Sequence, residues 1–168
     1  MSAIANLGAE AFVLGAGATA MLDLWSALAA FLFKLPAPKY SLVGRWLGSM
    51  PRGQFFHASI SQSAPIPGEL AIGWIAHYII GATYAFILLI TWGQGWLLHP
   101  TLMPALVVGL GSVVAPFLIM QPGMGMGIAA SRTANPTPSR LRSLLTHSIF
   151  AIALYLSGTT YEWLRHLS

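Results

Sequence analysis

The chain has no cysteine among its 168 residues. That excludes disulfides and thiolate metal sites and leaves the redox compartment open. Charge is nearly as scarce: 7% of residues are charged, against roughly a quarter in ordinary soluble domains. The chain therefore has too little polar surface to cover a soluble core of this apolar content. Apolar residues make up 56%, so lipid must cover part of the surface. A net charge of +4 is too sparse to mark a nucleic-acid-binding protein. No Lys or Arg precedes Lys34, so the start lacks the positive region of a cleaved signal peptide, and the first apolar run is expected to be retained. Nucleophile-elbow, P-loop and zinc-protease signatures are missing as well.

The sequence does hold four apolar stretches, each near the ~20 residues a spanning helix needs. They cover roughly residues 9–35, 70–92, 102–120 and 144–164. The fold expected is all-α, an integral membrane four-helix bundle formed by one membrane domain over residues 1–168. Lys34, Lys39, Arg45 and Arg52 lie in or beside the first linker, and Arg132, Arg140 and Arg142 in the third. The second linker has neither Lys nor Arg, and Arg165 alone marks the tail. The positive-inside rule then places the first and third linkers in the cytoplasm and both termini on the periplasmic side. Trp92, Trp96 and Trp163 are expected to form an aromatic belt at that outer face.

Within the first linker, "SLVGRWLGSM" puts Val43, Trp46, Leu47 and Met50 at i, i+3, i+4 and i+7, with Arg45 off the stripe. This predicts a short interfacial helix in the first cytoplasmic loop, with a helix buried in the loop as the alternative. Pro116 should kink the third span, and "QPGMGMG" after it cannot hold a regular helix. A weak repeat is visible in "IAHYII" and "LTHSIF", each placing a histidine early in a span after a basic linker.

Asp23 lies inside the first apolar stretch. At 100° per residue its face carries Ala16, Thr19, Ala20, Ser26, Ala27 and Ala30, with Leu14, Trp25, Leu28 and Leu32 opposite. Small residues let helices approach closely, so Asp23 is expected to face protein. His77 has Gly73 and Gly81 one turn to either side, and His147 lines up with Ser143, Ala151 and Gly158. At ~1.5 Å rise per residue, His77 lies about 10 Å inside its span and Asp23 about 16 Å from the cytoplasmic end of its own. A bundle could gather Asp23, His77 and His147 in the cytoplasmic half, with Glu69 near the rim. An isolated charge at such depth costs roughly 2.5–3.5 kcal/mol on insertion scales, so an ionisable residue inside a span reads by default as functional. One carboxylate and two imidazoles could ligate a divalent metal, two histidines could clamp a haem, and histidine beside aspartate could relay protons. The alternative is that Asp23 only pins helices. Met120, Met124 and Met126 invite a soft metal such as Cu(I), with packing as the competing role. Arg132, Arg140 and Arg142, with hydroxyls between them, could hold an anionic lipid headgroup or a phosphate.

The strings "GAGATAMLDLW", "GRWLGSMPRGQF", "GWIAHYIIG" and "PTLMPALVVGLGSVVAPFLIMQPGMGMGIAASRT" resemble a bacterial family of four-span inner-membrane proteins, described only as a domain of unknown function. The resemblance runs from about residue 15 to 155 and implies a bacterial inner-membrane protein with four spans. It brings no activity, ligand or site residue.

The sequence thus leads to a small membrane protein that transports or binds a proton, cation or small polar ligand, with a homodimer as a plausible assembly. The competing readings are a metal- or haem-dependent membrane enzyme or redox protein, and a structural accessory protein.

Overall fold

Apolar composition supplies the helices, and proline and glycine decide where they stop. The protein is seen in a computed structural model described over residues 3–167. Helix α1 spans Ala3–Phe33, α2 Tyr40–Ser49 and α3 Glu69–Trp92. Helix α4 covers Leu102–Gly123 and α5 Pro136–Arg165. Short 3₁₀ turns fill the connections, and the described residues contain no strand. Helices α1, α3, α4 and α5 are long and apolar enough to cross a membrane. Leu24, Phe31, Ile75 and Met103 are among many large apolar side chains left exposed on them. The chain is an all-helical, multi-pass membrane protein, with a short helix between its first two spans.

Pro116 cannot donate a backbone hydrogen bond, and its ring crowds the carbonyl one turn back. The backbone of α4 turns at residues 112–113 and then widens into a π turn over Pro116–Met120. One last turn, Gln121–Gly123, follows. Gly125 and Gly127, at φ of 88° and 73°, take left-handed conformations that suit glycine alone, and the helix ends there. The fourth span starts earlier than expected, at Pro136, because proline fits a first helical position whose N–H would go unused. Arg140 and Arg142 therefore lie on α5, not in a linker.

The chain packs as two compact units. The first comprises Met1–Ala37, Tyr78–Gly111 and Thr146–Ser168, and the second Pro38–His77 and Ser112–Leu145. In the first unit Leu14, Leu88, Leu89, Leu97 and Leu154 are fully buried in one core with Trp96, Phe150 and several alanines. Gly15 lies against the backbone of Ala82, Gly81 against Thr19, and Gly109 against Ala151, so small residues do mark helix contacts. The rotation of α1 nevertheless differs from expectation. Its buried face runs through Ala11, Leu14, Ala18 and Leu22, and Leu14, expected opposite Asp23, is sealed in the core. The cause is Gly15, which lets α3 approach on that side, while the Leu14 carbonyl accepts a bond from the Ser157 hydroxyl at 3.0 Å. Asp23 sits at the margin of this face, partly buried.

The expected aromatic belt also needs correction. Trp92 and Trp163 are exposed, but Trp96 is a core residue. Its indole lies against Gly158, and its Nε1–H donates to the Thr101 carbonyl at 3.1 Å. The short linker folds back as a 3₁₀ turn, Gln94–Leu97, that carries the ring inward. Trp96→Ala is expected to cost about 3–5 kcal/mol, the range for emptying a buried tryptophan site. Denaturant unfolding in detergent measures this, and a change within the ~0.5 kcal/mol of a surface substitution would refute the packing.

The second unit is built on Trp46, Ile60 and Met124, with Leu42, Leu47, Met50, Met120 and Met126 packed against them. The stripe seen in the sequence of α2 thus turns toward its own unit. Arg45, expected off that stripe, is buried too, with Gly44 and Ser49. Gly44 meets the backbone of Glu69 and Gly73. The short helix expected between the first two spans is thus α2.

Candidate functional site

Glu69 opens α3, where a carboxylate suits the unpaired amides of a helix start. It accepts from Arg45 twice, from Nε at 2.8 Å and Nη2 at 2.9 Å, and from the Ile66 amide at 3.1 Å. The two side chains are only 10% and 17% exposed. Arg45 Nη1 donates to the carbonyls of Ser63, at 2.7 Å, and Ile60, at 3.3 Å. One guanidinium thus ties α2 to the following loop and to the start of α3. The bond to Glu69 raises the proton affinity of Arg45 above its already high value, so it stays charged at any physiological pH.

The network continues through Ser63. Its hydroxyl donates to the Ser59 carbonyl at 3.1 Å and lies 3.0 Å from His57 Nδ1. Ser63 Oγ thus bridges the Ser59 carbonyl and the His57 ring. The Gln54 amide, 3.4 Å from the same nitrogen, is at the edge of bonding reach. His57 is more than nine-tenths buried, and its Nε2 has no hydrogen-bond partner among the described residues. Its amide donates to the Gly123 carbonyl at 2.8 Å and the Ile60 amide to that of Met124 at 3.1 Å. The loop therefore runs along the methionine-rich end of α4. At that end, Gln121 donates to Ser143 Oγ at 3.3 Å, while its buried Oε1 has no partner among the described residues.

The residues singled out within the spans have other partners. Asp23 accepts from the Tyr78 hydroxyl at 3.2 Å. His77 Nε2 lies 3.0 Å from the Tyr40 hydroxyl, and its ring packs on Tyr40 at 4.4 Å and on Trp74 at 5.9 Å. The close approach is possible because Gly73, one turn earlier, leaves room for the Tyr40 backbone. His147 makes a hydrogen bond to the backbone of Gly109. Each of Asp23, His77, His147 and Glu69 thus has its own partner. Among the described residues no three His, Cys, Asp or Glu side chains gather as a metal-holding group.

Arg132, Arg140 and Arg142 are exposed. Arg140 Nε donates to the Ala129 carbonyl at 2.8 Å, holding a short segment in which Ala129 and Ala130 adopt φ of 47° and 59°.

His57 and Arg45 carry the most elaborate polar network and were not prominent in the sequence. Arg45 read as one more linker cation, and "FFHAS" around His57 has no periodicity to place it. A charged residue directly beside an apolar helical stripe was the one available hint.

The family model described as "Protein of unknown function (DUF2938)" matches residues 12–161. The chain belongs to this family. The match takes in α2, α3, α4 and most of α1 and α5, so every residue of the Glu69–Arg45–His57 network lies within the family region. No curated protein and no solved structure matches the chain.

Proposed function

We propose that this membrane protein binds, and passes across the bilayer, a proton or another small cation, with Asp23 as the charged residue of its path. The observation that carries this reading is the Asp23 carboxylate inside a candidate span, partly buried and held by Tyr78 at 3.2 Å. A phenol orients a carboxylate without neutralising it. An ionised carboxylate costs free energy at that depth and is kept where it pairs with a mobile charge or serves a path. The membrane is the cytoplasmic membrane with both termini on the periplasmic side, following the basic linkers. Four spans enclose little room, so a homodimer is the natural transporting form. The second unit has six basic residues and one acid, Glu69, which is engaged by Arg45. Its exposed Arg132, Arg140 and Arg142 suit anionic lipid headgroups.

The test is proton flux into vesicles that hold a pH-sensitive dye, driven by a potassium diffusion potential. The parent protein should acidify or alkalinise the lumen as the potential dictates. Asp23→Asn should remove that flux while inserting normally, and Tyr78→Phe should reduce it without removing it. Equal flux from parent and Asp23→Asn would sink the proposal. Loss of thermal stability in Asp23→Asn, with no flux in the parent, would instead favour a carboxylate that only pins helices.

A further inference from the structure

The second unit contains a buried ligand atom that the proton or cation path through Asp23 does not use. His57 Nε2 is sealed from solvent without a partner among the described residues, although a buried polar atom normally finds one. Its other nitrogen has the arrangement that accompanies a metal-ligating histidine. Nδ1 is engaged by Ser63 Oγ at 3.0 Å, which holds the ring in place and leaves Nε2 as the nitrogen turned to a ligand. Ser63 is in turn held through its carbonyl by Arg45, itself locked by two bonds to Glu69. A histidine required only for packing needs no such support.

The second, independent observation is what surrounds this loop. Four of the seven methionines of the chain, Met50, Met120, Met124 and Met126, pack in the small core of the second unit. The backbone bonds from His57 to Gly123 and from Ile60 to Met124 lay the histidine segment along three of them. Gly125, between two of them, is needed for this approach. A side chain at Gly125 would strike the carbonyls of His57 and Ala58. Thioether sulfur and neutral imidazole are soft, uncharged donors. They select a monovalent d¹⁰ ion over the hard divalent cations that oxygen ligands hold. Neither carboxylate nor thiolate competes there, since the acid of this unit is bonded to Arg45 and the chain has no cysteine.

We infer that His57 Nε2 and thioethers drawn from Met50, Met120, Met124 and Met126 form a binding site for a soft monovalent cation of the Cu(I) class. The site is separate from Asp23 and stands or falls independently of proton movement. It uses no change of oxidation state, since the ion binds and leaves as the monovalent cation. The methionines also do ordinary packing work, which explains why the unit has a core without the ion.

Silver(I) is the probe, being a redox-inert stand-in for Cu(I). The full chain in detergent, without thiols or halide, should bind about one equivalent and gain thermal stability as it does. His57→Ala should weaken binding by at least roughly tenfold, the lower end of what even an indirect ligand contact is worth. Met120→Leu/Met124→Leu conserves volume and apolarity, so the unit should fold and still bind silver at least roughly tenfold more weakly. Ser63→Ala should weaken it too, by freeing the imidazole to turn. Asp23→Asn should bind as the parent does. Silver binding that is absent in the parent, or the same in parent and methionine double variant, would overturn the site.

Discussion

Arg45→Met and Glu69→Gln should each open the second unit, and the two together should open it less than the sum of the single changes. Glu69→Gln leaves a guanidinium in a place that is only one-tenth exposed, with its charge no longer matched. Arg45→Met leaves the carboxylate alone and frees the carbonyls of Ile60 and Ser63. Breaking one side of a buried pair is costly because the survivor stays desolvated, whereas removing both leaves nothing unpaired. The consequence is local, because the pair joins α2, residues 60–66 and the start of α3. Proteolytic cleavage between residues 53 and 68 reports the opening directly. Each single variant should be cut on the order of tenfold faster than the parent when cleavage tracks the open population. Equal cleavage rates would show that the pair is ornamental. The same experiment bears on His57, since Ser63 loses its tether in Arg45→Met.

The second large effect separates two glycines of one short motif. Gly109 and Gly111 stand two residues apart in "GLG", yet a methyl group at Gly109 would lie 2.5 Å from Ala151 Cα and 2.8 Å from its nitrogen. At Gly111 nothing lies within 4 Å. The obstacle at Gly109 is backbone and cannot swing aside, so α4 and α5 must separate locally. Gly109→Ala should therefore cost about 1–3 kcal/mol, the range for overfilling a packed site. It should also disturb the hydrogen bond from His147 to the same residue. Gly111→Ala should be neutral, or stabilising by up to about 1 kcal/mol through helix propensity. Parallel denaturant titrations in one detergent give the comparison, and equal midpoints would contradict the close crossing.

Much of this fold was legible because lipid imposes a simple rule on length and composition. The four spans, the break at Pro116 and the glycine contacts all follow from residue types at given spacings. The rotation of α1 did not follow, because the helix is apolar nearly all the way round. Small and large apolar residues then give little direction, and the partner's shape at Gly15 and Ala82 decides. The inward turn of Trp96 depends on a linker conformation that composition does not specify. Glu69 stands out for its place at the rim, but its partner lies 24 residues earlier, off the apolar stripe of another helix. His57 was out of reach for a stronger reason. Its surroundings are assembled from a loop and the end of a distant span, and no local pattern records such a pairing.

The early start of α5 has a mechanical consequence. Thirty residues of helix measure about 45 Å at 1.5 Å per residue, well beyond the ~30 Å of hydrocarbon. The surplus is the segment that carries Arg140 and Arg142, which point some 200° apart because they are two residues apart on a helix. A cation on each flank of a rigid rod acts as a collar. Sliding α5 inward would drag both guanidinium groups into hydrocarbon, at roughly 2.5–3.5 kcal/mol apiece near the centre. Piston-like strokes of this helix are therefore disfavoured, and tilting or rotation about its own axis is the motion left to it.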